Sequence, residues 1–317
     1  MIDRRRFIAQ TAIASSAAIC RADQPADPPN LQNENPITAP GRVQRIAGAR
    51  VKLGLNAFTF NHELLSGRMT MNDVIDFCAE NAVDGVDMTG YYFPGYPAVC
   101  DDANLVRLKR YAFINGVTIS GTGVRNSFTT HNDQELAESV QHTKQWIEVA
   151  AKLGADVLRV FSGKRLEPGP GRDESQERLI ASLKGCSEHA EKHGVMLGLQ
   201  HHHDFLKTAQ QTRQVIEAVD SPWCGVVLDI GSLRDRNVYD EIEVLLPYAT
   251  TWQIKEQVWV DGEQVPADLD RISDIIERVG YRGFLPVEIL GKGKDVDTRK
   301  RNAAKFLEQV RRRMIAA

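Results

Sequence analysis

Downstream of residue 50, short apolar or β-branched runs alternate with longer segments of helical period, and this alternation constrains the fold more than any other feature of the chain. Strands are expected at residues 51–56, 85–87, 117–121, 157–161, 195–200, 225–229, 251–255 and 284–288. Helices are expected at 71–81, 134–153, 177–193, 208–218, 269–279 and 298–314. Gly154, Gly194 and Gly280 each close a helical run shortly before a strand, where a left-handed C-cap belongs. Strand starts recur at roughly the spacing of one βα unit, and eight such units make a (β/α)₈ TIM barrel of about 250 residues. The competitor, a doubly wound open sheet, would bring a glycine-rich phosphate turn after an early strand. Gly121-Thr122-Gly123 lacks the third glycine and no helix follows it directly, so the barrel is preferred.

The chain has 317 residues, 42% hydrophobic and 26% charged, enough apolar material for one large core or two smaller ones. A formal net charge of -3 gives no basic excess for nucleic acid or anionic membrane, and a small carbohydrate fits that balance better. Arg4-Arg5-Arg6-Phe7-Ile8 leads into a short, weakly apolar run, the order of a twin-arginine export signal over residues 1–22. That run is shorter than the ~20 residues that span a bilayer. Export to the periplasm is therefore expected, with simple cleavage preferred to lipid anchoring at Cys20, because Ile19 stands where a small residue is wanted. Residues 23–49, rich in Pro and Asn, read as a disordered linker, and residues 50–317 as one barrel domain. The five cysteines are dispersed without a C-x-x-C pair, so they are expected as buried small hydrophobes.

Barrel chemistry sits at the carboxyl ends of the strands, where the loops surround a shared cavity. The unusual polar residues of this chain collect there: Asn56 on strand one, Asp87 before Tyr91 and Tyr92 on strand two, Arg125 and Asn126 after strand three, and Arg159 on strand four. Strand five ends in Gln200-His201-His202-His203-Asp204, strand six in Asp229, strand seven in Gln253, Lys255 and Glu256, and strand eight in Glu288. Each has a bland reading as a cap, turn or core pair, but together at strand ends they point to a site.

Leu199-Gln200-His201-His202-His203-Asp204-Phe205, Leu228-Asp229-Ile230-Gly231, Trp252-Gln253-Ile254-Lys255-Glu256 and Val287-Glu288 resemble, in order, the metal-bearing strand ends of the xylose-isomerase-like sugar isomerase and epimerase barrels. The resemblance runs over practically the whole folded part. It implies one divalent metal held by four residues, usually Glu, Asp, His and Glu, which match Gln200, Asp229, Gln253 and Glu288 here. Asp229 and Glu288 keep the type; Gln200 and Gln253 depart from it. Glutamine cannot take up a proton, and an amide oxygen lacks the charge of a carboxylate, so one of two expected bases is missing and metal affinity is weakened. Mn²⁺ or Mg²⁺ would suit such an oxygen-rich set better than Zn²⁺.

Two residues offer replacements. Neighbouring strand side chains point in opposite directions, so one of His201 and His202 should face the cavity as ligand or acid/base group. Lys255 is expected as electrophile or, if desolvated, as base. The reading implied is an isomerase or epimerase in which Glu288 abstracts a proton next to a carbonyl, His202 and Lys255 assist, and Asn56, Arg125, Arg159, His201 and Lys255 hold the substrate; Tyr91, Tyr92 and Trp259 would supply sugar-facing surface. Expulsion of a neighbouring group would make it a lyase. The rivals are a non-catalytic periplasmic sugar-binding barrel and a metal-dependent hydrolase of the kind found among related endonuclease barrels.

Overall fold

The computed structural model describes residues 51–163, 171–291 and 295–314. The expected signal and linker, with Cys20, lie outside the described residues. The first units run β1 (Lys52–Asn56), α1 (Asn61–Leu65), α2 (Met71–Glu80), β2 (Gly85–Thr89), α3 (Asp102–Ile114), β3 (Thr118–Gly123), α4 (Asp133–Leu153) and β4 (Val157–Phe161). They continue as α5 (Arg172–His193), β5 (Met196–Gln200), α6 (Ala209–Val219), β6 (Cys224–Asp229), α7 (Val238–Leu245) and β7 (Ala249–Gln253). A hairpin of β8 (Gln257–Val260) and β9 (Glu263–Pro266) follows, then α8 (Leu269–Val279), β10 (Phe284–Val287) and α9 (Val296–Met314).

Eight strands form one parallel sheet in the order β10-β1-β2-β3-β4-β5-β6-β7. The ends meet where Ile254 bridges Val287: Ile254 N donates to Pro286 O at 2.8 Å and Glu288 N to Ile254 O at 2.9 Å. The sheet thus closes into the expected (β/α)₈ barrel, and its last link falls between the residues that carry Gln253 and Lys255 on one side and Glu288 on the other. Closure leaves no sheet edge and sends the carboxyl ends of all eight strands to one mouth.

Local chemistry explains the punctuation. Thr70 with Asp73 and Thr208 with Gln211 build capping boxes at the starts of α2 and α6. Gly154, Gly194 and Gly280 end α4, α5 and α8 at φ of 74°, 66° and 85°. Cys78, Cys100, Cys186 and Cys224 are free and buried, as small hydrophobes. Three helices, α1, α3 and α7, and the hairpin go beyond the sequence reading. α3 buries Leu105, Leu108 and Ala112 but exposes Val106, Phe113 and Ile114, which blurs its apolar stripe. α7 is only eight residues long. The hairpin's short strands sit outside the barrel period. No helix among the described residues is long and apolar enough to cross a membrane.

Candidate active site

Gln200, Asp229 and Gln253 are the last residues of β5, β6 and β7, and Glu288 follows β10, so strand pairing together with barrel closure gathers four positions far apart in the chain. The Gln200 Nε2 donates to Asp229 Oδ2 at 2.8 Å and to Gln253 Oε1 at 2.9 Å. Lys255, two residues past Gln253 and therefore on the same side of its strand, enters the same cluster. Its Nζ donates to Gln253 Oε1 at 3.2 Å and to Glu288 Oε1, and lies 3.6 Å from Asp229 Oδ1. Ser232 Oγ donates to Asp229 Oδ2 at 2.8 Å and Gly231 N to Asp229 Oδ1 at 3.1 Å. Every member of this set is at most 6% exposed except glycine 231, whose backbone alone takes part.

The direction of each bond is fixed by valence. Asp229 can only accept, so Gln200 must turn its amide nitrogen inward; Lys255 can only donate, so Gln253 must turn its oxygen toward both neighbours. Burial alone would raise the Asp229 carboxyl, yet Lys255 and His201 beside it and the Ser232 hydroxyl hold it below the usual range. Burial would likewise lower Lys255, but Asp229 and Glu288 hold its ammonium above the ordinary lysine value. Lys255 is therefore a protonated donor here, which corrects its expected alternative role as a base.

The same arrangement decides whether a divalent ion fits. An ion would need oxygens at about 2.0–2.6 Å, but Gln200 presents nitrogen to the cluster and the remaining oxygens are turned on the Lys255 ammonium. Like charges about 4 Å apart repel by roughly 4 kcal/mol per pair of unit charges at a protein-like effective dielectric. The expected ligand set of Gln200, Asp229, Gln253 and Glu288 converges as expected, but it does not fit Mn²⁺, Mg²⁺ or Zn²⁺ while Lys255 stands in its middle.

Above the cluster opens a narrow cleft of about 50 Å³, well below the ~300–1,000 Å³ usual for small-molecule sites, lined by Asn56, Thr89, Tyr91, Arg159, His202 and Glu288 among others. The triple histidine divides three ways. His202 lines the cleft with its ring against Phe161, centroids 5.3 Å apart. His203 is turned outward to Asp235 Oδ1 at 2.9 Å. His201 is buried with Nε2 unpartnered, and burial pushes its imidazole down to about 4 against the pull of Asp229. In the loop after β5, His202 is thus the histidine that lines the cleft, and His201 does not.

Arg159 is buried, with Nη1 donating to Val124 O at 2.8 Å and Tyr91 Oη at 3.0 Å and the guanidinium 4.3 Å from the Phe161 ring centroid. The Asp87 carboxyl is pushed up to about 6 by burial, pulled down by Arg159 and raised further by Glu288. Arg125 is exposed and stacks at 4.4 Å on the Tyr91 ring, at the rim rather than in the lining. Asn56 lines the cleft while its Oδ1 accepts from Phe58 N at 2.9 Å.

Tyr91 faces the cleft; Tyr92 instead bonds Asn61 and walls an outer groove of about 600 Å³ that holds none of the strand-end set. Trp259, on the hairpin, packs under Arg234 and is absent from the lining. Thr89, Phe161 and Ser232 went unread in the sequence. The first two share strand parity with Asp87 and Arg159, a period-two signal that could have found them. A separate cluster of Glu148 on α4 with His189 and His193 on α5 lies on the outer helices, its candidate ligand atoms within 4.8 Å of one another.

Comparison with known proteins fits this architecture. A family model described as xylose isomerase-like TIM barrel matches residues 75–310. No curated protein matches significantly in sequence. Among solved structures, D-psicose 3-epimerase with D-tagatose from Clostridium cellulolyticum H10 is similar at 16% identity and TM-score 0.70, covering 83% of this chain and 99% of that one. An L-ribulose 3-epimerase is similar at 18% identity and TM-score 0.65, covering 83% and 96%. The IOLI protein, solved with a binding zinc atom, is similar at 16% identity and TM-score 0.64, covering 84% and 97%. With the closed barrel, the strand-end cluster and a family match over most of its length, this chain belongs to the xylose isomerase-like TIM barrel family.

Proposed function

We propose that the cleft binds a ketose and that the protein moves a proton on it, as an isomerase or epimerase. The observation that carries this reading is that Glu288 and His202, two groups able to exchange protons, line one cleft together with Arg159 and Asn56. Family membership and the likeness to two 3-epimerases of sugars support it. Glu288 takes the proton from the carbon next to the carbonyl, leaving an enediolate, and His202 returns a proton to carbon or oxygen. Arg159 supplies a buried positive charge against which the enediolate oxygen is stabilised. The Lys255 ammonium orients the Glu288 carboxylate from below. Gln200 offers no proton, so the second acid/base group has to come from the loop after β5, where His202 stands.

The test is solvent-deuterium incorporation into a panel of ketoses that includes D-psicose, D-fructose and L-ribulose, with wild-type protein and Glu288→Gln. Exchange by the wild type should fall about 10²- to 10⁴-fold in the variant; unchanged exchange removes Glu288 as the base. One feature favours a second reading, a sugar-binding barrel without turnover: Gln200 stands where a second carboxylate would serve. Binding of a ketose by the wild type with no exchange would select that reading.

A further inference from the structure

We propose that Lys255 is the resident cation of the strand-end cluster: its ammonium takes the place that a divalent ion would have among Asp229, Gln253 and Glu288, and the site assembles without metal. The inference goes beyond the reaction proposed above and holds whichever ligand the cleft receives. Three oxygens from three different strands gather on one nitrogen, Gln253 Oε1 at 3.2 Å, Asp229 Oδ1 at 3.6 Å and Glu288 Oε1 in direct contact. Those oxygens are the ones a metal would claim.

Two further observations show a site built around the lysine. Gly231 gives the stem its path: a Cβ at that position would stand 2.9 Å from Lys255 Cγ, so any larger residue would displace the side chain. Gln200 is arranged to serve the same polarity, its nitrogen donating to Asp229 and to the Gln253 oxygen that Lys255 also uses. Charge agrees with geometry. Two buried carboxylates facing one ammonium leave a single net negative charge, whereas a divalent ion added beside Lys255 would force two cations into one small volume. Lys255 lies beneath the residues that line the cleft, so it acts as a positioning residue for Glu288 and Gln253.

The experiment uses the full chain in a His189→Ala background, which removes the outer Glu148, His189 and His193 cluster as a competing metal site. Metal content after purification and Tm with and without Mn²⁺ and EDTA are measured for Lys255-intact protein, Lys255→Ala and Lys255→Met. The Lys255-intact protein should hold no stoichiometric metal and show no Tm change with either additive. Lys255→Ala should gain a Mn²⁺-dependent rise of about 5 °C at saturating ion, because the vacated oxygens then face a metal-sized space. A purely structural lysine would lower Tm without creating that Mn²⁺ response. One equivalent of metal on the Lys255-intact protein, or a folded Lys255→Ala and Lys255→Met that both ignore Mn²⁺, would overturn the proposal. If neither variant folds, the metal content of the intact protein decides alone. Loss of deuterium exchange leaves these readouts untouched, so the two proposals fail separately.

Discussion

His201 shows how burial assigns a role that residue type leaves open. It lies near Asp229, but its Nε2 has no partner and burial holds its imidazole at about 4, below the ordinary value near 6.5. A histidine with a depressed folded value contributes stability that is present above pH ~6.5 and is lost as pH falls toward 4, because the unfolded chain takes the proton first. The loss amounts to about 3 kcal/mol at most. Asp87 acts in the opposite sense: its value is raised to about 6, so acidification from there toward 4 relieves the cost of its buried charge. Since Asp87 is common to both proteins, comparing wild type with His201→Gln isolates the histidine. Tm measured from pH 7 to 4.5 should fall less steeply in the variant; parallel profiles would show that His201 is not the group being titrated.

At the scale of elements, the two-residue period of the strands does most of the positioning. Arg159 and Phe161, and Gln253 and Lys255, are pairs two apart that share a side, and each pair was readable from the sequence once the strands were placed. The glycine C-caps were readable for the same reason: a left-handed residue after a helical run has few alternatives. What escaped has a physical explanation too. α3 hides its stripe because Phe113 is 82% exposed, and the β8–β9 hairpin is an insertion that the βα period does not require. The inward Lys255 ammonium escaped because two of its partners lie on other strands: β6–β7 pairing brings in Asp229, and closure at Ile254 and Val287 brings in Glu288. β3 illustrates a case where the sequence showed the residues and the structure gave their purpose. Gly123, discounted as part of a phosphate turn, lies under Arg159, and a Cβ there would stand 2.7 Å from the guanidinium. Gly123→Ala should push Arg159 out of its place between Val124 O and Phe161 and weaken ketose binding at least about 10-fold by calorimetry. Unchanged affinity would mean that Arg159 does not hold the ligand.

For the whole molecule, a closed barrel separates the task of stability from that of function. The apolar core of strands and outer helices sets the scaffold, while the carboxyl mouth concentrates buried charge that the scaffold must hold in place. Here the mouth is a self-satisfied polar floor, Gln200 to Asp229 to Lys255 to Glu288, beneath a small cleft with Arg159, Tyr91 and His202 on its walls. We propose that this cleft is where a ketose binds. A crystal structure of the full chain soaked with D-psicose or L-ribulose tests it most directly. Sugar density is expected within hydrogen-bonding distance of Glu288, Arg159 and His202; a sugar seated instead in the outer groove beside Tyr92 and Tyr111, or none at saturating concentration, would contradict ketose binding in this cleft.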